Sequence, residues 1–365
     1  MITNEKCYVP PIMFHPGVIL AEKLAEMQMP VKEFALRCHK PEKTVHDILK
    51  AGSSITPDMA VLFENVLKIP ARFWLKAQRD YDEYMARKRQ EAEIQKSLPW
   101  AKNFPFSDMV KRGYISAPIT RSLEEKVKIL LDFFGIAKIE AWDEYFERQT
   151  LSTVFRISLA GVENKYSLSA WLRYGENIVS QQQRYVESFS MDKLKSRLND
   201  LIELANSGAN DFKEQLKKIC AEIGIVLVYT PHIKNSKAQG ATRWIGSTPL
   251  VQISDCRRHY DIFWFSFFHE ICHILNHNKK DIFLEGIDYA DKDNDKEKEA
   301  DAFAASKLVP RNIEDQLRNI TYSERHIKMI STQTGIHPAF LVGRMQHLGL
   351  IRHSYGNALI PSVQF

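Results

Sequence analysis

The sequence predicts a multidomain, mostly α chain: an N-terminal five-helix domain, then a C-terminal α+β domain with a small sheet. Three observations carry this. The length, 365 residues, exceeds an ordinary domain of roughly 100–200 residues. Apolar residues recur at helical spacing through 14–85, punctuated by Pro and Gly. Near 225–253 the pattern shortens to strands, immediately before an almost wholly apolar helix at 261–277.

A hydrophobic fraction of 44% and a charged fraction of 26% lie in the globular range and exclude a mainly disordered or low-complexity chain. No apolar run reaches the roughly 18–20 residues of a membrane helix. The densest, Ile262 to Leu275, is broken by Ser266, His269, Glu270 and His273. The opening MITNEKCYVPPIMF has neither an apolar h-region nor a small-residue cleavage site, so no classical export signal is expected. Five cysteines, Cys7, Cys38, Cys220, Cys256 and Cys272, make an odd, widely spaced set without CxxC, which points to a reducing, cytoplasmic setting. The net charge of +5 is spread along the chain: 16 basic and 13 acidic residues fall in 1–105. Charge alone does not indicate a nucleic-acid partner.

The first domain is expected over 14–85. Leu20, Leu24 and Met27 mark its first helix, and Pro30 ends or restarts the pattern. Phe34, Ala35 and Cys38 mark the second, and Val45, Ile48 and Leu49 the third. Thr56-Pro57 combines an N-cap residue with Pro at the first helical position and opens a fourth helix to about Leu67. A fifth runs from Ala71 to Tyr84, and 86–105 changes composition and reads as a linker.

Residues 106–215 read as a helical connecting region, with helices at Leu123–Phe134, Ser167–Leu172 and Met191–Leu204. Arg156 and Arg173 read there as salt-bridged surface residues. The second domain is expected over 216–350. A helix at Phe212–Ile223 closed by Gly224 spans its start, followed by a strand at 225–229 and a hairpin pairing 241–245 with 250–253. That hairpin has the character of an edge to which an extended peptide adds a strand.

The helix at 261–277 carries His269-Glu270-Ile271-Cys272-His273, an HExxH. Two His at i and i+4 share a face, a spacing at which both imidazoles can bind one Zn²⁺, with the adjacent Glu placed to take a proton from a metal-activated water. Two His and a Glu in a helix apolar on nearly all sides need partners, since lone buried polar groups are costly. Glu297 and Asp301, also i and i+4, come from a second helix: Glu297 suits a third ligand and Asp301 suits orienting a ligand His. Glu299 lies about 200° around from Glu297 and is expected to face elsewhere. Cys272 reads as packing.

HExxH on a Phe-rich helix followed by Glu297-Lys298-Glu299-Ala300-Asp301-Ala302-Phe303 resembles the ImmA/IrrE family of zinc metallopeptidases over about 220–350. His277, Ser306-Lys307-Leu308-Val309-Pro310, Thr334-Gly335-Ile336-His337-Pro338 and Arg344 extend the similarity. The resemblance implies His269, His273 and Glu297 as ligands to Zn²⁺ and Glu270 as general base. Asp301 and His277 would support the ligands from behind. By residue type alone, His277, Tyr289, His337 and Arg344 are candidates to stabilise an oxyanion.

The helix, turn and helix within Val31–Lys50 resemble the helix-turn-helix of XRE-family regulators. His15-Pro16-Gly17, Ser54-Ile55-Thr56-Pro57-Asp58 and Arg72-Phe73-Trp74-Leu75 resemble HigA-type antitoxins over 14–84. This implies a recognition helix at Pro41–Leu49, with Lys43, His46 and Lys50 facing operator DNA. Lys43 and Lys50 suit phosphate or guanine, whereas Glu42 and Asp47 oppose phosphate. Val31 replaces the polar residue that often opens the second helix, and His39 the usual turn Gly. Dimerisation or partner docking stands beside DNA binding as an alternative.

The 106–215 stretch is similar to the connecting region of HigA-like regulators that carry an ImmA/IrrE domain. The combined resemblance implies an antitoxin-like, DNA-binding transcriptional regulator, expected as a cytoplasmic homodimer with no membrane partner. Its zinc-dependent endopeptidase domain would cut a cognate toxin or repressor protein. The alternative is a non-proteolytic regulator in which the metallopeptidase fold is a sensor or scaffold.

Overall fold

Contacts divide the chain into two units, Met1–Lys96 and Ser97–Phe365. The computed structural model describes residues 13–118, 121–144, 165–182, 186–277, 283–285 and 294–365. Arg156 and Tyr289 lie outside them.

Among the described residues the first unit has five helices: α1 (Pro16–Glu26), α2 (Val31–Arg37), α3 (Glu42–Leu49), α4 (Pro57–Leu67) and α5 (Ala71–Lys96). His15 opens α1 by accepting the Gly17 N–H at Nδ1, 3.0 Å, while Pro16 sits at the first helical position. A Cβ on Gly17 would lie 2.0 Å from the Ile48 carbonyl oxygen, so glycine is what lets α1 approach α3. Pro30 and Pro41 precede α2 and α3 and fix their starts. The turn between them forms without glycine: His39 itself takes the left-handed conformation, φ 52°. Leu20, Phe34, Val45, Ile48, Phe63 and Trp74 form a fully buried core. The fifth helix, expected to end at Tyr84, continues to Lys96. Its extension carries exposed pairs one turn apart, Arg87–Glu83 at 2.6 Å and Lys96–Glu93 at 2.7 Å, and buries Ile94 alone among its apolar side chains. The division between the units falls inside the stretch read as a linker.

The second unit is mostly helical around one four-stranded sheet. Its early helices are α6 (Leu98–Lys102), α7 (Phe106–Lys111), α8 (Leu123–Phe134), α9 (Ile139–Glu144) and α10 (Lys165–Gln182). They are followed by α11 (Met191–Ser196), α12 (Leu198–Ser207) and α13 (Phe212–Ile223). The single helix expected over Met191–Leu204 breaks at Arg197, whose guanidinium reaches across to Glu222 on α13. Gly224 closes α13 at φ 97°, and a Cβ there would strike the Phe189 backbone.

The sheet has the order β1-β3-β2-β4, from β1 (Val226–Thr230), β2 (Gly240–Ile245), β3 (Thr248–Ser254) and β4 (Phe283–Glu285). β1 runs parallel to β3, and β2–β3 is the expected antiparallel hairpin. The hairpin is not a free edge, however. β3 lies inside the sheet, and β4 pairs with β2 over Gly240–Thr242.

Helix α14 (Tyr260–Asn276) packs against β2 and β3, with Trp264, Phe267, Phe268 and Ile271 fully buried. Helices α15 (Asn294–Leu308), α16 (Arg311–Arg318), α17 (Glu324–Thr334) and α18 (Pro338–His347) complete the unit. A buried ion pair ties α10 to the sheet: Arg243 on β2 donates to Glu176 at 2.6 Å and to the Leu172 carbonyl at 2.8 Å. Arg173 is salt-bridged to Glu176 at 2.9 Å, as expected, but is half-buried rather than on the surface, donating also to the Phe133 carbonyl at 3.1 Å. Among the described residues no helix is long and apolar enough to cross a membrane.

Candidate metal centre

Helix α14 buries on nearly every side, so its polar residues are carried inward by the surrounding apolar packing. His269 and His273, one turn apart, bring their Nε2 atoms to 3.0 Å. Helix α15 lies against α14, its close approach permitted by Ala300 and Ala304, both fully buried. It sets Glu297 Oε2 3.0 Å from His269 Nε2 and Glu297 Oε1 3.5 Å from His273 Nε2.

One ligand atom from each of His269, His273 and Glu297 thus lies within 4.8 Å of the other two. Such a set suits a tetrahedral cation that keeps its fourth position open. Glu297 Oε1 is buried without a hydrogen-bond donor among the described residues, which fits a carboxylate built to meet a cation. Burial, with His269 and His277 nearby, pulls the His273 pKa down to about 2, so its ring is the neutral imidazole a metal requires.

Behind the ligands stand three further groups. Asp301 Oδ1 lies 3.0 Å from His269 Nδ1, a position that sets the tautomer presenting Nε2 to the cluster. His277 Nδ1 lies 2.8 Å from His273 Nδ1, and His277 Nε2 is 3.4 Å from Glu299. Glu299, expected to face elsewhere, is outside the ligand set but turns onto the end of α14, against Asn276 and His277. It accepts a 2.7 Å hydrogen bond from Asn276, and these bonds from Asn276 and His277 lower its pKa. The angle of Glu299 on α15 does not predict this contact, and Asn276 carries no local signal in the sequence.

Glu270, fully buried, follows His269 on the inner face, and its carbonyl accepts from the Thr242 hydroxyl of β2 at 3.2 Å. Cys272 is buried, outside the converging set, with burial pushing its thiol up to about 12. His337 caps α18 through Ala339 N–H at 3.2 Å, and Arg344 is paired with Glu314 at 2.6 Å, so both have structural partners of their own.

In the first unit, Lys43, His46 and Lys50 are exposed along α3 and its C-cap. His46 lies 3.5 Å from Glu42 on the same face. The arrangement presents mixed charge to solvent rather than a cationic strip.

Residues 220–338 match the family model described as the IrrE N-terminal-like domain, Peptidase_M78. Two solved structures resemble the N-terminal region. An addiction-module antidote protein of the HigA family from Coxiella burnetii is 36% identical, covering 23% of this chain and 91% of that one, with a TM-score of 0.22. A putative antidote protein of a plasmid maintenance system from Nostoc punctiforme is 25% identical, covering 23% and 92%, with a TM-score of 0.23. No curated protein matches the chain.

Proposed function

We propose that this chain, an antitoxin-like helix-turn-helix fold followed by an IrrE N-terminal-like domain, is a regulator whose second unit is a zinc-dependent endopeptidase acting on a partner protein. The observation that carries this is the convergence of His269, His273 and Glu297 beside a buried Glu270. A Zn²⁺ held by the three would polarise a peptide carbonyl and lower the pKa of its bound water. Glu270 accepts the proton of the attacking water and returns it to the leaving amine nitrogen. Asp301 holds His269 in the ligating tautomer, and His277 does the same for His273.

The substrate class is a protein, a cognate toxin or a repressor, and the setting is the reducing cytoplasm. The first unit acts as a homodimer on operator DNA, with Lys43, His46 and Lys50 facing it. One observation favours protein docking instead: Glu42 and Asp47 share α3 with those residues and repel phosphate.

The test is zinc content and cleavage of a candidate partner by wild type and Glu270→Gln. Stoichiometric zinc in both proteins and cleavage by wild type alone is the expected result. A wild type that binds no zinc, or binds it and cuts nothing while still repressing its operator, would leave the domain as a sensor or scaffold.

A further inference from the structure

Alongside the metal cluster, the second unit contains a cavity of about 540 Å³ bounded by α14, α15 and α18. That volume falls in the range of small-molecule sites, roughly 300–1,000 Å³. Its apolar lining comes from Ile262, Phe265, Leu308, Val309 and Phe340. Its polar side carries Arg257, His259, His347 and His353.

The charge around the cavity is unequally spent. Of the two acids that line it, Asp301 lies against His269 Nδ1 at 3.0 Å. Asp261 is turned onto α18, where a Cβ on Gly343 would lie 2.1 Å from its Oδ2, and burial raises its pKa towards the neutral acid. Arg344, also in the wall, is turned onto Glu314 at 2.6 Å, a carboxylate it shares with Arg318. Arg257 is exposed, with no ion pair among the described residues, and the three histidines stand beside it. The Arg257 guanidinium is left for an incoming group, with the histidine rings beside it as hydrogen-bonding groups. The cavity also touches the metal cluster: Phe265 sits 6.3 Å, ring to ring, from His269, and Asp301 belongs to both.

We infer that this cavity binds a small organic anion with an apolar body, its charge held by Arg257 and its oxygens by ring N–H groups of the histidine rim. Asp301 faces both the cavity and His269, so its charge, which opposes the anion, couples the anion to the metal site. The apolar floor supplies the driving force and Arg257 fixes the orientation, the usual division of labour in such sites. Because coupling between two binding sites is reciprocal, the anion and the metal change each other's affinity by the same factor.

The probe is 8-anilinonaphthalene-1-sulfonate, titrated calorimetrically into the full chain, metal-free and zinc-loaded, beside a naphthyl trimethylammonium cation of similar size. One-site binding of the sulfonate, with the cation at least tenfold weaker, is expected. Arg257→Glu, a surface change that leaves packing intact, weakens the sulfonate at least tenfold. Ala305→Phe, which fills the cavity, abolishes binding while circular dichroism stays unchanged. Zinc shifts the sulfonate affinity at least threefold in wild type and not in Asp301→Asn. Equal binding of cation and anion, or sulfonate binding unmoved by Arg257→Glu, overturns the site, and an unchanged affinity with zinc overturns the coupling. No turnover is read, so the result stands apart from the peptidase reading.

Discussion

His46 and Glu42 stand one helical turn apart on α3, their side chains 47% and 48% exposed. His269 and His273 stand one turn apart on α14, 2% and 0% exposed. The spacing is the same and the consequences are opposite. On α3 water can replace either partner, and an exposed pair of this kind contributes about 0.3–0.5 kcal/mol at most. On α14 water is excluded, and each imidazole must find its donors and acceptors within the fold. Spacing places groups on a face, and burial decides whether that face does chemistry.

The largest test of this contrast is Glu270→Gln. Loss of a general base lowers turnover by about 10²–10⁴-fold. Zinc content, measured by metal analysis, stays unchanged because the ligands are untouched. No exposed residue of α3 should approach that effect on cleavage.

Next comes Asp301→Ala. Asp301 is 58% exposed yet lies 3.0 Å from a ligand nitrogen. Outer partners of ligating histidines are worth about 10–100-fold in metal affinity or activity. A competition titration with a zinc chelator should show a loss in that range. A change under threefold would mean that packing alone orients His269.

The two regions also differ in how much was legible in the sequence. HExxH lies within five residues, and Glu297 with Asp301 follow one helical period, so the centre was readable from local spacing. The helices of the first unit were readable because His15-Pro16, Pro30, Pro41 and Thr56-Pro57 punctuate them. What escaped was non-local. Arg243 appears as one cation in a hairpin, and only folding reveals Glu176 and the Leu172 carbonyl as its partners, far apart in sequence. The cover that β4 gives β2 escaped because three residues are too few for an alternation. The length of α5 escaped because its last turns carry exposed charge pairs, and its composition resembles a linker.

A smaller effect sharpens the α3 side. If Lys43 and Lys50 contact DNA phosphates, Lys43→Ala and Lys50→Ala each lower the slope of log affinity against log salt by about 0.9. Fluorescence anisotropy on the operator at several salt concentrations reads the slope. Binding that is absent at low salt assigns α3 to protein contacts, in keeping with Glu42 and Asp47.

The smallest effect compares the units through a device they share. Each starts a helix with His-Pro: His15 accepts from Gly17 N–H at 3.0 Å, and His337 from Ala339 N–H at 3.2 Å. Both rings must be neutral at Nδ1 to accept, and burial lowers both pKa values from 6.5, with Asp82 partly opposing the shift at His15. A depressed histidine leaves the unfolded chain binding more protons as the pH falls below about 6.5, so stability is full above that pH and declines below it. Protonation also removes the cap itself, worth about 1 kcal/mol at each site. Urea unfolding at pH 7.5 and 5.5 should therefore show a decline that His15→Asn reduces in the first unit and His337→Asn in the second, because Asn accepts the same N–H without titrating. If His15→Asn leaves the decline of the first unit unchanged, another group controls its acid sensitivity. His337 then gives an independent reading, since it is half-buried against Tyr260 and Phe340 with no acid among the causes of its shift.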